Sequence, residues 1–358
     1  MRPLLNVIII LLLYSCNKTG NRKIDIVRVN NSFSENQNIS QVFEDAGMVK
    51  LETLPECLIS YIQQVILVED WLFVAEPGRV LQFDTSGHFI RQVGSQGHGP
   101  GEYQMVGSIA ADSITHQLVV SASHYYLFYD FKGHFIRSVP YNGFSEYLSF
   151  KKGLLSAVRT YLAEPSDNGT YITTSSLYKY SDQYNVTDSI VIKKIVMEQV
   201  IASIGGHPNY ISDLKTGLYL YYPVLLPESI LRDTLYEITG NKISPSLKFD
   251  FSDLLVLHDN HKNILITNIF RTNRYIFAEY NNTGNPYLYC YDFKEKTGYH
   301  LEKGFNDNFY GTGIAELRPL NLNNNKFYFI KNGYEIEDLT GGVNENSNPL
   351  VFFVRTKE

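Results

Sequence analysis

The chain is poor in sulfur, in clustered positive charge and in long apolar runs. Its 358 residues include 3 cysteines, 4 methionines and 1 tryptophan, and its formal net charge is −6. Because no run of Lys and Arg exceeds two or three residues, the chain lacks the basic surface that nucleic-acid binding needs, and no nucleic-acid partner is expected. The nearly apolar run at residues 4–14 is about half of the roughly 20 residues that a membrane-spanning helix needs.

Helical periodicity and catalytic signatures are also scarce. The segment 190–204 is the best helix candidate, but its β-branched residues fit strands equally well. The Gly-x-Ser-x-Gly pattern of serine hydrolases is absent, and the glycine-rich stretch near residue 97 lacks the Lys-Ser/Thr pair of a phosphate-binding loop. The sequence therefore predicts no catalytic residue and no cofactor.

The N-terminus indicates export. Residues 1–15 combine one arginine with the apolar run, as a cleaved signal peptide does, and the following Cys16 completes a Leu-Tyr-Ser-Cys stretch that resembles a bacterial lipobox. We expect Cys16 to be lipidated, which would tether the protein to a membrane at roughly 0.8 kcal/mol per buried CH₂ group. Residues 16–40 are then a tether, and 41–358 form the folded domain. An ordinary secretory signal with a coincidental cysteine is the alternative.

Two stretches of the chain read almost alike. Residues 81–93 and 127–139 share the pattern Asp-x-x-Gly-His-Phe-Ile-Arg at an offset of 46 residues. Each copy predicts two strands joined by a tight turn, so the chain consists of four-stranded units of the size that β-propeller blades use. Degenerate units follow as far as residue 354, and we expect an all-β, six-bladed β-propeller, with seven blades as the alternative.

Ring closure is predicted to involve the N-terminus. Residues 48–53 are a short strand-like piece that precedes the first complete unit at residues 62–93. In many propellers such a piece supplies the outermost strand of the last blade, which here comes from residues 326–354. The abundant aromatic residues, 27 Tyr and 21 Phe, suit packing between neighbouring sheets.

A glycine-rich stretch joins the first two units. Closely spaced glycines and a proline allow the positive φ angles and sharp turns of a crossover between blades. The crossover residues are Gly97, Gly99, Pro100, Gly101, Glu102 and Tyr103.

This crossover, followed by a strand that ends at Asp112, resembles the NHL-type repeat. Together with the lipobox, it also resembles the six-bladed, TolB-like propeller lipoproteins of Bacteroidetes. That resemblance implies an outer-membrane lipoprotein. Surface-exported members tend to carry acidic residues directly after the lipidated cysteine, and residues 17–24 contain none, which favours the periplasmic face.

A propeller of this kind is expected to act as a non-enzymatic binding or scaffold module for a protein, peptide or glycan partner. Aromatic rings that reach the axial funnel could stack on such a ligand, although inter-blade packing is the commoner use of tyrosine. The binding candidates are Tyr125, Tyr126, Tyr221 and Tyr222.

The alternative function is a calcium-dependent hydrolase or lactonase of the gluconolactonase–paraoxonase type. Calcium takes six or more oxygen ligands, so several acidic side chains would have to converge on the axis. Five acidic residues lie near the expected inner strands: Glu69, Asp112, Asp213, Asp253 and Glu279. No motif shows that they converge, so a metal site stays undecided at this point.

The remaining histidines and cysteines point to structural roles. The segment His258-Asp259-Asn260-His261 reads as a loop rather than a zinc site, and His88 and His134 repeat with the hairpins. His207 is isolated. After Cys16, only Cys57 and Cys290 remain, either as two buried thiols or as one disulfide.

Overall fold

Six sheets surround a central axis and form a six-bladed β-propeller. The computed structural model describes residues 24–30, 32, 34, 37–198, 210–224, 230–258, 261–336, 344 and 346–358. Each blade has an antiparallel sheet of four strands; in blades 1 to 5 these follow in sequential order from the axis outward, in blade 6 the outermost strand comes from the N-terminus, and blade 4 carries an additional fifth strand. The prediction of an all-β, six-bladed propeller is confirmed.

Two strands precede the first blade, and a short parallel pair lies between blades 1 and 2. The strands of this first third of the ring are β1 (Asp25–Arg28), β2 (Phe43–Lys50), β3 (Gln64–Val68), β4 (Trp71–Glu76), β5 (Arg79–Asp84), β6 (Phe89–Val93), β7 (Ser95–Gln96), β8 (Glu102–Tyr103), β9 (Ser108–Asp112), β10 (Gln117–Ala122), β11 (Tyr125–Asp130) and β12 (Phe135–Pro140). Blade 1 consists of β3 to β6, and blade 2 of β9 to β12.

Blades 3 and 4 consist of β13 to β16 and β17 to β20. Their strands are β13 (Phe144–Lys151), β14 (Leu154–Pro165), β15 (Tyr171–Tyr180), β16 (Val186–Met197), β17 (Ile211–Leu214), β18 (Gly217–Leu220), β19 (Thr234–Thr239) and β20 (Lys242–Asp250). The segment at 190–204, which fits helix or strand by pattern, is strand as far as Met197, and residues 199–209 lie outside the described part.

Blade 5 consists of β23 to β26, and blade 6 of β29 to β31 with β2. The strands are β21 (Leu257–His258), β22 (His261–Lys262), β23 (Ile264–Arg271), β24 (Tyr275–Asn282), β25 (Asn285–Asp292), β26 (Thr297–Glu302), β27 (Phe305–Asp307), β28 (Gly313–Ala315), β29 (Arg318–Asn321), β30 (Lys326–Lys331) and β31 (Leu350–Thr356). Helical structure in the described residues is limited to α1 (Gly333–Ile336) and three 3₁₀ turns at Ile39–Gln41, Pro55–Cys57 and Leu322–Asn324.

The ring closes through the N-terminus as predicted. Strand β2 pairs antiparallel with β31 and forms the outer edge of blade 6, so this blade combines both ends of the chain. The closing strand is longer than the sequence indicated and starts at Phe43. Strand β2 thereby covers the edge of β31, which would otherwise be open to another chain.

The N-terminal strap, which we define as the described residues of 25–40, lies inside the predicted tether. Its strand β1 pairs parallel with β20 and becomes the fifth strand of blade 4. Val27 and Val29 are 4% and 0% exposed, so this part of the segment is packed against the propeller. The ordered fold therefore starts well before residue 41, the domain boundary that composition suggested.

The strap continues across blade 5 to the β27–β28 hairpin. The Tyr289 hydroxyl donates to the Arg28 carbonyl at 3.0 Å, and the Ser34 amide donates to the His300 carbonyl at 2.8 Å. The Asn306 side-chain amide then donates to Asn38 at 3.0 Å. The strap thus joins blade 4, blade 5 and the β27–β28 hairpin before the chain enters β2.

The apolar core is divided into sectors between neighbouring blades. The largest cluster lies between blades 4, 5 and 6 and includes Phe43 from β2. The ring centroid of Phe43 is 6.0 Å from that of Phe277 and 5.4 Å from that of Phe327. Other clusters fill the blade 1–2, 2–3, 3–4 and 6–1 interfaces. The phenylalanines and tyrosines therefore pack between sheets, as their abundance predicted.

The two repeated hairpins use the same turn chemistry. The Asp84 carboxylate accepts hydrogen bonds from the Ser86 and His88 amides, both at 2.9 Å, and Asp130 accepts from Lys132 and His134 at 2.9 and 2.8 Å. Burial alone would raise the pKa of Asp84, but these bonds and the His88 ring hold it below its usual value. The histidines of the repeat therefore support turns.

Candidate functional site

An axial cavity of about 730 Å³ is lined by the inner strands β3, β9, β13, β17 and β29 of five blades. It extends to the turns that follow these strands, at residues 113–114, 152, 215 and 323. We call the face that carries these turns the lower face. A cavity of this size is in the range of small-ligand sites, which makes it the candidate functional site.

Strand alternation supplies the polar lining. Along β13, Tyr147, Ser149 and Lys151 are partly or fully exposed, whereas Leu148 between the first two is buried. This is the two-residue period of a strand with one buried and one accessible face. Burial raises the pKa of Tyr147 to about 12, so its hydroxyl stays protonated in the cavity at neutral pH.

Amide side chains hold the cavity wall between blades 1 and 2. Gln64 donates to the Ile109 carbonyl at 2.9 Å and accepts from the Ile109 amide at 3.0 Å, as an additional strand residue would. Gln63 donates to the Gly107 carbonyl at 2.7 Å. These bonds satisfy backbone groups that face the channel, and they fix the spacing of the two inner strands.

Positive charge predominates in the axial cavity. Its lining contains three lysines and one arginine, at positions 151, 152, 215 and 318, against two aspartates, Asp112 and Asp213. The Lys151 ammonium lies 2.6 Å from the Asp213 carboxylate, and Asp112 accepts from the Thr115 hydroxyl at 2.7 Å. Both acids are therefore already engaged by neighbouring groups.

The five acidic residues considered for calcium do not converge. Glu69 pairs with His116 at 2.9 Å, and Asp253 pairs with Arg28 at 2.8 Å, far from the axis. Glu279 lies in a different cavity from Asp112 and Asp213. Among the described residues, no three His, Cys, Asp or Glu side chains are grouped so that they could hold a metal ion.

A second cavity, of about 370 Å³, lies beside blades 5 and 6. Burial raises the pKa of Glu279 in this cavity to about 7, and an Asn268 hydrogen bond and the charge of Arg318 offset part of that increase. A carboxyl group that titrates near neutrality can serve as a general acid or base. The described lining of this cavity has no Ser, Cys or His, so no activated nucleophile of that kind stands beside Glu279.

A buried carboxylate also joins blades 3 and 4. Glu146, 7% exposed, accepts from the Tyr210 and Tyr222 hydroxyls at 3.1 and 2.7 Å. The Lys193 ammonium lies 4.1 Å from the Tyr222 ring centroid, and burial lowers the pKa of this lysine to about 8, although Glu146 opposes the shift. The two tyrosine hydroxyls thus satisfy the Glu146 carboxylate, and their bonds connect blades 3 and 4.

The four candidate binding tyrosines do not come together. Tyr126 is buried and stacks on Tyr141 at 4.2 Å, and the Tyr221 hydroxyl lies 3.0 Å from the Ile266 carbonyl of blade 5. Tyr222 belongs to the Glu146 cluster, whereas Tyr125 is 49% exposed. None of the four lines either cavity. Tyr126, Tyr221 and Tyr222 pack between blades instead.

The crossover residues pack tightly on one another. Glu102 accepts from the Gly99 amide at 2.8 Å, and a Cβ at Gly97 would lie 2.1 Å from the Glu102 carboxylate. Gly101 has φ +74°, and its carbonyl accepts from the Tyr129 hydroxyl at 2.8 Å. Tyr103 inserts between blades 1 and 2, where the Val80 amide donates to its hydroxyl at 3.1 Å. The exposed Pro100 completes the turn.

The other singled-out residues have no part in the cavities. His258 and His261 face each other across the short β21–β22 hairpin, and Cys57 and Cys290 are separate buried thiols. Cys16, His207, Asp259 and Asn260 lie outside the described residues.

The cavity residues that sequence reasoning missed include Lys152 and Lys215. Each directly follows an inner strand and precedes a glycine by one or two residues. This position after the innermost strand of a blade is the signal that could have identified them.

Among the solved structures that resemble this chain, one with a TM-score above 0.5 supports the fold. Among solved structures, a Bacteroides fragilis protein described as exported is 17% identical, with a TM-score of 0.67 over 94% of this chain and 100% of that chain. The WD40 domain of Neurospora crassa Pan2 is 10% identical, with a TM-score of 0.43 over 83% of this chain and 76% of that chain. BamB from Moraxella catarrhalis is 11% identical, with a TM-score of 0.41 over 88% of this chain and 100% of that chain.

No curated protein matches the sequence. Within the described residues, no helix has the length and apolar character needed to cross a bilayer. A family profile, described as a domain of unknown function, DUF4934, matches residues 22–355. Because this match spans nearly the whole propeller, the chain belongs to the DUF4934 family.

Proposed function

We propose that the protein is a propeller lipoprotein, exported and tethered through Cys16 to the periplasmic face of the outer membrane, where it binds a protein, peptide or glycan partner without catalysing a reaction. The axial cavity of about 730 Å³ carries this proposal, because its lining is polar and it reaches solvent at the lower face. Its two aspartates, Asp112 and Asp213, are bonded to Thr115 and Lys151. The resemblance to TolB-like lipoproteins and the description of the Bacteroides fragilis structure as exported support the location.

The topology relates the proposed anchor to the cavity. Strand β20 begins at the turn of residues 240–241 on the lower face, and β1 runs parallel to it, so the chain enters the propeller at the lower rim of blade 4. Cys16 precedes Asp25 by nine residues, which span at most about 30 Å when extended. A lipid on Cys16 would therefore keep the lower face, with its cavity, close to the membrane.

Ligand binding in the cavity is tested by thermal shift on the soluble chain from Asn17 to Glu358. We expect a ligand from panels of glycans and short peptides to raise the melting temperature by several degrees, since it binds the native state selectively. Ser149→Trp fills the cavity and should abolish that shift, whereas Ser138→Trp on the exposed strand β12 should leave it unchanged.

Calcium with and without a chelator is included in the same experiment. Because Asp112 and Asp213 are engaged by Thr115 and Lys151, we expect calcium to leave the melting temperature unchanged. A ligand shift that survives Ser149→Trp would remove the axial cavity from the proposal. Stabilisation by calcium that the chelator reverses would instead favour the hydrolase alternative.

Anchoring is tested by Cys16→Ser. We expect this variant to move from the membrane fraction to the soluble periplasmic fraction, because the acyl chains have no other attachment site. Its melting temperature should match that of the wild type, since the propeller does not include Cys16. Asn17→Ser is the control and should remain with the membrane. Membrane retention of Cys16→Ser would contradict the lipoprotein assignment.

A further inference from the structure

The axial cavity differs in charge from the rest of the molecule. The whole chain has a formal net charge of −6, yet the cavity lining has two more positive than negative side chains. Within the lining, Lys151 is neutralised by Asp213 at 2.6 Å. Arg318 donates to the Ile62 carbonyl at 3.0 Å and also lines the second cavity, where its charge acts on Glu279, so the remaining positive charge comes from Lys152 and Lys215, against Asp112.

Two of these cations lack a partner within the described structure. Lys152 and Lys215 make no side-chain hydrogen bond or ion pair with any described residue, and both are exposed at the turns that end the cavity. Low-dielectric walls on either side strengthen the field that such charges project into a cleft. An anionic ligand would therefore be favoured over a neutral or cationic one.

The arrangement of the charges indicates a ligand with several separate negative groups. Lys152 and Lys215 follow the inner strands of two different blades, 3 and 4, so each charge approaches the cavity from its own blade. A single phosphate would need donors that converge on its oxygens. Between the charges lie hydroxyl and amide groups, from Tyr147, Ser149 and Asn323, that can bond to the hydroxyls of a sugar.

We propose that the axial cavity binds a short acidic oligosaccharide, with its carboxylates against Lys152 and Lys215 and its hydroxyls against the polar groups of β13. This inference rests on the proposed binding function and specifies its ligand class. The cavity volume of about 730 Å³ matches a ligand of two or three sugar residues.

The test is calorimetric titration of the mature chain with trigalacturonic acid, with maltotriose as the neutral sugar of equal length. We expect binding of the acidic sugar to be at least tenfold tighter than that of maltotriose, and to weaken at least tenfold between 0.05 and 0.5 M NaCl, because salt screens exposed charges.

The double variant Lys152→Glu/Lys215→Glu should bind the acidic sugar more than tenfold more weakly than the wild type. The matched control Lys132→Glu/Lys194→Glu reverses two exposed lysines on the outer strands and turns of blades 2 and 3, and should bind like the wild type.

The outcomes separate this inference from the proposed function. Equal binding of maltotriose, or a cavity variant that binds like its control, would overturn the acidic-ligand inference. Tighter binding of triglutamate than of the acidic sugar would overturn the oligosaccharide and indicate an acidic peptide. In each of these cases, if Ser149→Trp still abolished binding of the ligand, the proposed binding function would stand. If no ligand in the panels bound in a way that Ser149→Trp abolishes, both the binding function and the acidic-oligosaccharide inference would be overturned.

Discussion

A chain that begins at residue 41 is expected to unfold far more easily than one that begins at residue 22. The shorter chain lacks the strap, including β1, and with it the buried side chains of Val27, Val29 and Ile39, which are 4%, 0% and 0% exposed. Burial of one such side chain contributes about 1.5–3 kcal/mol. Three of them amount to roughly 5–9 kcal/mol, which is comparable to the total stability of many domains.

The loss would not be limited to apolar burial. Without β1, the outer strand β20 of blade 4 becomes an open sheet edge, and open edges pair with other chains. The contacts of the strap with Tyr289, His300 and Asn306 would also disappear, so blade 4, blade 5 and the β27–β28 hairpin would lose a shared connection. We therefore expect the shorter chain to be largely insoluble or to melt more than 10 °C lower.

The measurement is thermal and urea unfolding by circular dichroism, together with the soluble yield. Two point variants of the longer chain, one in β1 and one directly after it, provide a matched comparison. Val29→Ala should lower the melting temperature, whereas Ile26→Ala should not, because Ile26 is 67% exposed. Equal melting temperatures for the chains starting at 22 and 41 would show that the strap contributes nothing to stability.

The second large effect is expected at one of two equivalent glycines. Gly87 and Gly133 occupy the same position in the repeated hairpins and have φ angles of +90° and +82°. A Cβ at Gly87 would lie 2.0 Å from the carbonyl oxygen of Lys50 in the closing strand β2. A Cβ at Gly133 would instead meet the flexible Arg91 side chain, at 2.8 Å from its Cδ.

Gly87→Ala should therefore destabilise the protein by roughly 2–4 kcal/mol, because backbone strain adds to a collision with the strand that closes the ring. Gly133→Ala carries the same strain, but its neighbour can move away, so about 1 kcal/mol is expected. The difference appears as a shift of the urea midpoint at constant m-value. If the two variants had the same midpoint, the contact between the first blade and the closing strand would not be structurally important.

Much of the ring could be predicted from local patterns. The hairpins at residues 81–93 and 127–139 were identified because an aspartate that caps its own turn and a glycine at positive φ are local requirements, independent of the rest of the chain. The closing strand followed from the need to protect sheet edges. By contrast, nothing in the sequence separates the strand Asp25–Arg28 from the tether, because four residues with one buried side chain carry no periodic strand signal.

The sequence by itself determined the all-β class, the six repeated sheets and the closure of the last blade by the N-terminus, since turn chemistry and strand alternation depend on neighbours along the chain. Only the tertiary structure decided which side chains face the axis. Tyr126 and Tyr221 pack between blades while Lys152 and Lys215 reach the cavity, because these positions depend on how the sheets are oriented around the ring. Contacts between residues more than 200 positions apart, such as Arg28 with Asp253, have no local signature and arise only when the ring closes.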